Sequence, residues 1–176
     1  MRRYFFTAAA SLFFAASAMG DKLSDETILR FAPMPEAPVI DGKITPEEWK
    51  FASTTFGGIS PKTRLMTFRQ NDFRIGYDAK NIYVAITSET PPPPQPMNSG
   101  DQVEFQFIPP GKTTPLIVKF DSTGKGKIPA GVKIANGFSF SPMNSEKTIC
   151  WNAEAVIPLS VLGVKSIEDG KNGNSR

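Results

Sequence analysis

Histidine is missing from this chain of 176 residues, and cysteine occurs once, as Cys150. Without histidine no Ser-His-Asp or Cys-His relay can be assembled, and an H-E-x-x-H zinc site is excluded as well. A single cysteine cannot close an internal disulfide, complete a four-cysteine zinc site or hold an iron–sulfur cluster through cysteine. No glycine-rich phosphate loop follows an apolar strand pattern, no EF-hand spacing of acids occurs, and no internal repeat is visible. Long runs of one charge are absent too: the 20 Lys and Arg and 17 Asp and Glu are scattered. Arg2 and Arg3 supply two of the three net positive charges, so +3 falls to +1 once residues 1–20 are set aside. That balance describes a solvated mixed surface and argues against nucleic-acid binding.

What the chain does have begins with an export signal. Met1-Arg2-Arg3 is a basic start, and Tyr4 to Ala16 is a mostly apolar stretch without charge, too short to span a bilayer comfortably. Ala16-Ser17-Ala18 is a small-x-small cleavage signal, with Ala18-Met19-Gly20 as a second option. Residues 1–20 therefore read as a secretory signal peptide, which implies a secreted or periplasmic protein with no membrane span after cleavage. No cysteine follows the apolar run, so the lipoprotein pattern is not met. The length left over suits one domain. Sixteen prolines and fourteen glycines beside fourteen phenylalanines imply short strands joined by many turns rather than a helical bundle.

Along the mature chain, residues 21–36 read as a lead-in segment. Asp41-Gly42 is a turn signal. In Thr45-Pro46-Glu47-Glu48-Trp49, Thr45 is a good N-cap, Pro46 fits the first helical position and Glu48 can close a capping box. The spacing predicts one short capped helix there, with Trp49 as a core plug. Then the period becomes two. Phe73, Ile75 and Tyr77, the Asp78–Asn81 turn, and Ile82, Val84 and Ile86 form a hairpin with one apolar face. Val103, Phe105 and Phe107 alternate with Gln102, Glu104 and Gln106; Leu116, Val118 and Phe120 alternate with Ile117, Lys119 and Asp121. Val132 and Ile134 lead into an expected Asn136-Gly137 turn, with Phe138 and Phe140 beyond it. Trp151, Ala153, Ala155 and Ile157 form a last apolar row, and Cys150 beside them reads as a buried thiol. The prolines at 91–94 and 96 mark a stiff loop. Six or more short strands of this kind predict an all-β fold, an antiparallel β-sandwich of immunoglobulin-like or jelly-roll-like type.

Four segments in order carry a resemblance. Pro38-Val39-Ile40-Asp41-Gly42 followed by Glu47-Glu48-Trp49, Tyr77-Asp78 to Ile82-Tyr83-Val84, Asp101-Gln102-Val103-Glu104-Phe105, and Glu154-Ala155-Val156-Ile157-Pro158 are similar to the signature of family 9 carbohydrate-binding modules. That family lies within the wider group that includes DOMON domains. The resemblance covers roughly residues 37–165, followed by a polar tail at 166–176. It implies a non-catalytic, extracytoplasmic module linked to glycan binding or polysaccharide breakdown, with carbohydrate as partner. In the family two aromatic side chains sandwich a sugar ring. Here Asn98-Ser99-Gly100 stands where the first aromatic belongs, and the second would lie beyond the last matching strand. The resemblance assigns carbohydrate binding to Glu104 and to Lys119, where the family has an arginine; lysine lacks the planar fork. The same two positions would equally make an ordinary cross-strand ion pair. Some members hold structural calcium, for which Asp41, Asp72 and Asp78 are the turn carboxylates at hand; no spacing demands it.

No catalytic residue is assigned. Asp101 and Glu104 stand three apart on a strand, face opposite sides and make a poor acid–base pair. The second functional class is a haem- or redox-associated DOMON-type domain, whose ligands would have to be Met97, Met143 or lysines. The family continues after the last matching strand with further strands, whereas Gly170 leads here to Lys171–Arg176. This reading expects an uncovered edge beside the Trp151–Ile157 strand.

Overall fold

A computed structural model describes residues 31–58, 65, 71–90, 101–109, 112–140 and 149–167. The segment expected to be a signal peptide, the proline-rich segment with Met97 and Asn98–Gly100, Met143 and most of the polar tail lie outside the described residues. Among the described residues nine strands follow in order: β1 (Ala32–Pro33), β2 (Ser53–Phe56), β3 (Asn71–Tyr77), β4 (Asn81–Glu89), β5 (Gln102–Phe107), β6 (Leu116–Asp121), β7 (Gly126–Lys127), β8 (Lys133–Phe140) and β9 (Ile149–Pro158). The described chain is all-β, with no α-helix among its residues.

The larger sheet runs β1-β3-β4-β9-β8, with β2 also paired to β3; the smaller runs β5-β6-β7. Every pairing is antiparallel except β1 with β3. The predicted hairpin forms as β3 and β4, in register from Asn71↔Ser88 to Tyr77↔Ile82. Its turn is closed by the Asp78 side chain, whose Oδ1 accepts the backbone N–H groups of Lys80 and Asn81 at 2.7 Å each. Tyr83 locks the turn from below by donating its hydroxyl to Asp78 Oδ2 at 2.5 Å. The cost falls on the phenol, whose pKa burial and the adjacent carboxylate push up to about 12.

One apolar core is shared by both sheets. Ile75, Ile82, Val84, Trp151, Ala153, Ala155 and Ile157 of the larger sheet cluster with Val103, Phe105, Phe107, Val118 and Phe120 of the smaller. The Phe105 ring lies 6.2 Å from Phe73 across the layers and 6.3 Å from Phe120 in its own sheet. Alternation therefore does what the sequence pattern implies: in β5 the odd positions face in and the even ones face out.

The opposite face of the larger sheet is covered as well. Met34, Trp49, Tyr83 and Ala85 form a second small cluster, with Ile40, Ile44 and Val156 at its margin. This is why β4 and β9 are buried on both faces. Trp49 is the plug of this cluster, and Cys150 is buried in β9.

Three sequence expectations need correction. The helix near Thr45 shrinks to a single turn. The capping contacts do form, with Glu48 N–H donating to Thr45 Oγ1 at 3.4 Å and that hydroxyl donating to Glu48 Oε2 at 2.8 Å. Propagation stops because Ser53-Thr54-Thr55, rich in β-branched residues, is taken into β2 against β3. The Asn136-Gly137 pair is not a turn: β8 runs straight through it. Gly137 is glycine for another reason, because a Cβ there would collide with the backbone carbonyl of Gly42. Finally, β9 is not an edge strand, since β4 and β8 flank it on both sides; among the described residues the long edge of this sheet belongs to β8.

Candidate functional site

Glu104 and Lys119 meet. They are direct partners in the β5–β6 register, and Lys119 Nζ stands 3.1 Å from Glu104 Oε2. The other oxygen, Oε1, accepts from Gln106 Nε2 at 2.5 Å. The carboxylate is thus held from two sides, by a neighbour two residues along its strand and by a cation across the ladder. The Gln106 hydrogen bond, then Lys119 and Lys127, hold the Glu104 carboxyl below its usual range, against the opposing effect of burial. Both side chains keep contact with water, at 18% and 30% exposure, so the attraction is screened and stabilises the fold little. Its chemistry is that of a fixed acceptor beside donors, which is what a hydroxyl-rich ligand requires.

The register also tells what shares this outward face. Gln102 and Asp121 lie one pair along, Gln106 and Ile117 the other way, and Lys127 sits beyond Lys119. None of these is aromatic, so among the described residues of this face no ring is present for a sugar to stack on. Asp101 immediately precedes β5.

A different carboxylate organises the molecule, one that the sequence reading used only as part of a motif. Glu154 in β9 is fully buried. Its Oε2 accepts the backbone N–H of Gly42 at 2.6 Å and of Asp41 at 3.2 Å, and its Oε1 accepts from Trp49 Nε1 at 3.2 Å. Gly42 can offer its N–H because it adopts φ 88°, a left-handed geometry suited to glycine. Its carbonyl in turn accepts from Asn152 Nδ2 at 3.4 Å. Two of the four segments that carry the resemblance, the first with its Asp41-Gly42 turn and Trp49 and the last with Glu154, therefore converge on one hydrogen-bond hub. Burial, opposed by the Gly42, Asp41 and Trp49 donors, pushes the Glu154 carboxyl up to about 7, and the Asp41 charge adds to the rise. A raised carboxyl often marks catalysis. Here no solvent reaches it, so its role is to fasten the 41–49 segment to the sheet.

The calcium candidates are spread over different tasks. Asp41 Oδ1 accepts from Lys43 N–H at 2.9 Å, Asp78 closes its turn, and Asp72 pairs with Arg74 at 2.6 Å. No group of three or more acidic, cysteine or histidine side chains that could hold a metal occurs among the described residues. Asp41, Asp72 and Asp78 therefore do not converge on one calcium site. Asp72 Oδ1 and Arg74 Nη1 are buried without a hydrogen-bond partner, a local cost within that pair.

Comparison with family models, with curated proteins and with solved structures found no match for this chain.

Proposed function

We propose that this chain is an exported, non-catalytic module of β-sandwich type that binds carbohydrate through the outward face of β5 and β6. One observation carries the reading. The Glu104 carboxylate is fixed between the Gln106 amide and the Lys119 ammonium on a strand face that water reaches. Acceptor and donors are thereby held in place before a ligand arrives, and little ordering entropy is lost on binding. Rigid strands, rather than loops, carry all three groups. The motif order supports the reading, while the face without a ring limits it to low affinity. Polar contacts made in competition with water contribute little each. A glycan array probed with the mature chain tests the class: saccharide spots that bind the chain, and lose it when Glu104 is replaced by Ala, support the reading. An array without any saccharide signal at high protein concentration contradicts it.

A further inference from the structure

We propose that β8 is the seam of a homodimer, in which two copies pair their β8 edges antiparallel about Gly137 and continue the larger sheet across a two-fold axis. The strand is eight residues long and stands last in its sheet. Among the described residues its backbone bonds only to β9, which leaves every second N–H and C=O pointing away from the molecule. A free edge of that length is a template for another strand, and proteins that stay monomeric usually blunt it with charge, proline or a bulge. From Ile134 to Phe140 the strand has none of these: no charged residue, no proline, and an unbroken register with β9. The opposite edge of the same sheet is different, because β1 and β2 both lie along β3.

The side chains point to the same use. Phe138 and Phe140 are 43% and 67% exposed. They pair with Trp151 and Ile149 in the register and so lie on the sheet face that holds the core. Farther along that face Asn136 is tied down, its Nδ2 donating to the carbonyl of Asp121 and its Oδ1 accepting from Trp151 Nε1 at 2.9 Å. The two phenylalanines lie past this anchored part.

Electrostatics and spacing favour a second copy as the occupant. Antiparallel pairing centred on Gly137 sets Ile134 opposite Phe140 of the second copy, Ala135 opposite Ser139, and Asn136 opposite Phe138. Both phenylalanines then gain cross-strand neighbours on the same face, and Phe140 gains a β-branched one. The only charge in the strand, Lys133, falls at opposite ends of the seam, so no like charges face each other. A two-fold pairing also closes: each edge is consumed by the other, and no further edge is created.

Sedimentation velocity of the mature chain over a wide concentration range is the test. The expected result is a reversible monomer–dimer equilibrium, with Phe140→Lys weakening the dimer at least about tenfold and leaving the thermal melt unchanged at dilutions where both proteins are monomeric. Amide exchange of the unaltered protein supplies a check that needs no variant: β8 amides should gain protection at high concentration and lose it on dilution. A monomer at all concentrations overturns the proposal. So does a dimer indifferent to Phe140→Lys, an assembly that grows without limit, or β8 exchange that ignores concentration.

Discussion

Two side chains show how far a single residue can be read from its place in the chain. Phe105 sits in a strict alternation, and its burial between the sheets is what that pattern implies. Replacing it by Ala should cost about 3–5 kcal/mol in chemical denaturation, because the cavity is lined by both layers; a cost near zero would take Phe105 out of the shared core. Glu154 is the opposite case. Its position in an alternating strand shows only that it faces away from Ala153 and Ala155. Nothing local says that this face is also buried, since the cover comes from residues more than a hundred positions earlier. The raised carboxyl makes its contribution depend on pH. The folded state holds the Glu154 proton more tightly than the unfolded chain does, so the stabilisation is complete below the ordinary carboxyl value of about 4.5 and is lost as pH rises through about 7. In Glu154→Gln the amide cannot accept on both sides, and one of the N–H donors is left facing another donor. The melting temperature of the unaltered protein should therefore exceed that of the variant most at pH 5, with the gap narrowing towards pH 8. A gap that widens over that interval would contradict the assignment.

Elements were legible wherever apolar residues recur with a period of two. β5 and β6 show it with one buried face; β3, β4 and β9 carry the same apolar row, although the second face of β4 and β9 is covered too. The failures have specific causes. Asn136-Gly137 carries a strong turn signal, but tertiary packing overrides it: Gly42 and Gly137 approach so closely that neither position has room for a side chain. Gly137→Ala should accordingly destabilise the protein by about 1–3 kcal/mol, measured by urea unfolding, through overpacking rather than through any change of turn. An unchanged midpoint would contradict the close approach of Gly42 to Gly137. β1, β2 and β7 were not legible, because two-residue and four-residue strands are too short to show a period, and their partners are chosen by the larger strands they border. The Thr45 cap was legible as chemistry, whereas the length of the helix it starts was decided downstream by β2.

For the whole molecule, the four segments of the resemblance fall into three places: the first and last meet at Glu154, the second closes the β3–β4 hairpin, and the third brings Glu104 opposite Lys119. The proposed site was thus legible as a pair of positions. The hold of Gln106 on Glu104 was not, because a contact two residues along a strand depends on side-chain rotamers. Export is checked by mass spectrometry of the secreted protein, which should begin at residue 19 or 21; an intact Met1 would contradict the signal reading. The central claim is that β5 and β6 present a preorganised polar face to a saccharide without a stacking ring. Titration calorimetry of the mature chain against a saccharide found on the array tests it most directly. The account predicts a dissociation constant on the order of millimolar, about 4 kcal/mol of binding, which disappears in Lys119→Ala and tightens in Lys119→Arg as the planar fork replaces a point charge. Micromolar binding, or binding indifferent to both substitutions, would contradict it and place the sugar elsewhere on the molecule.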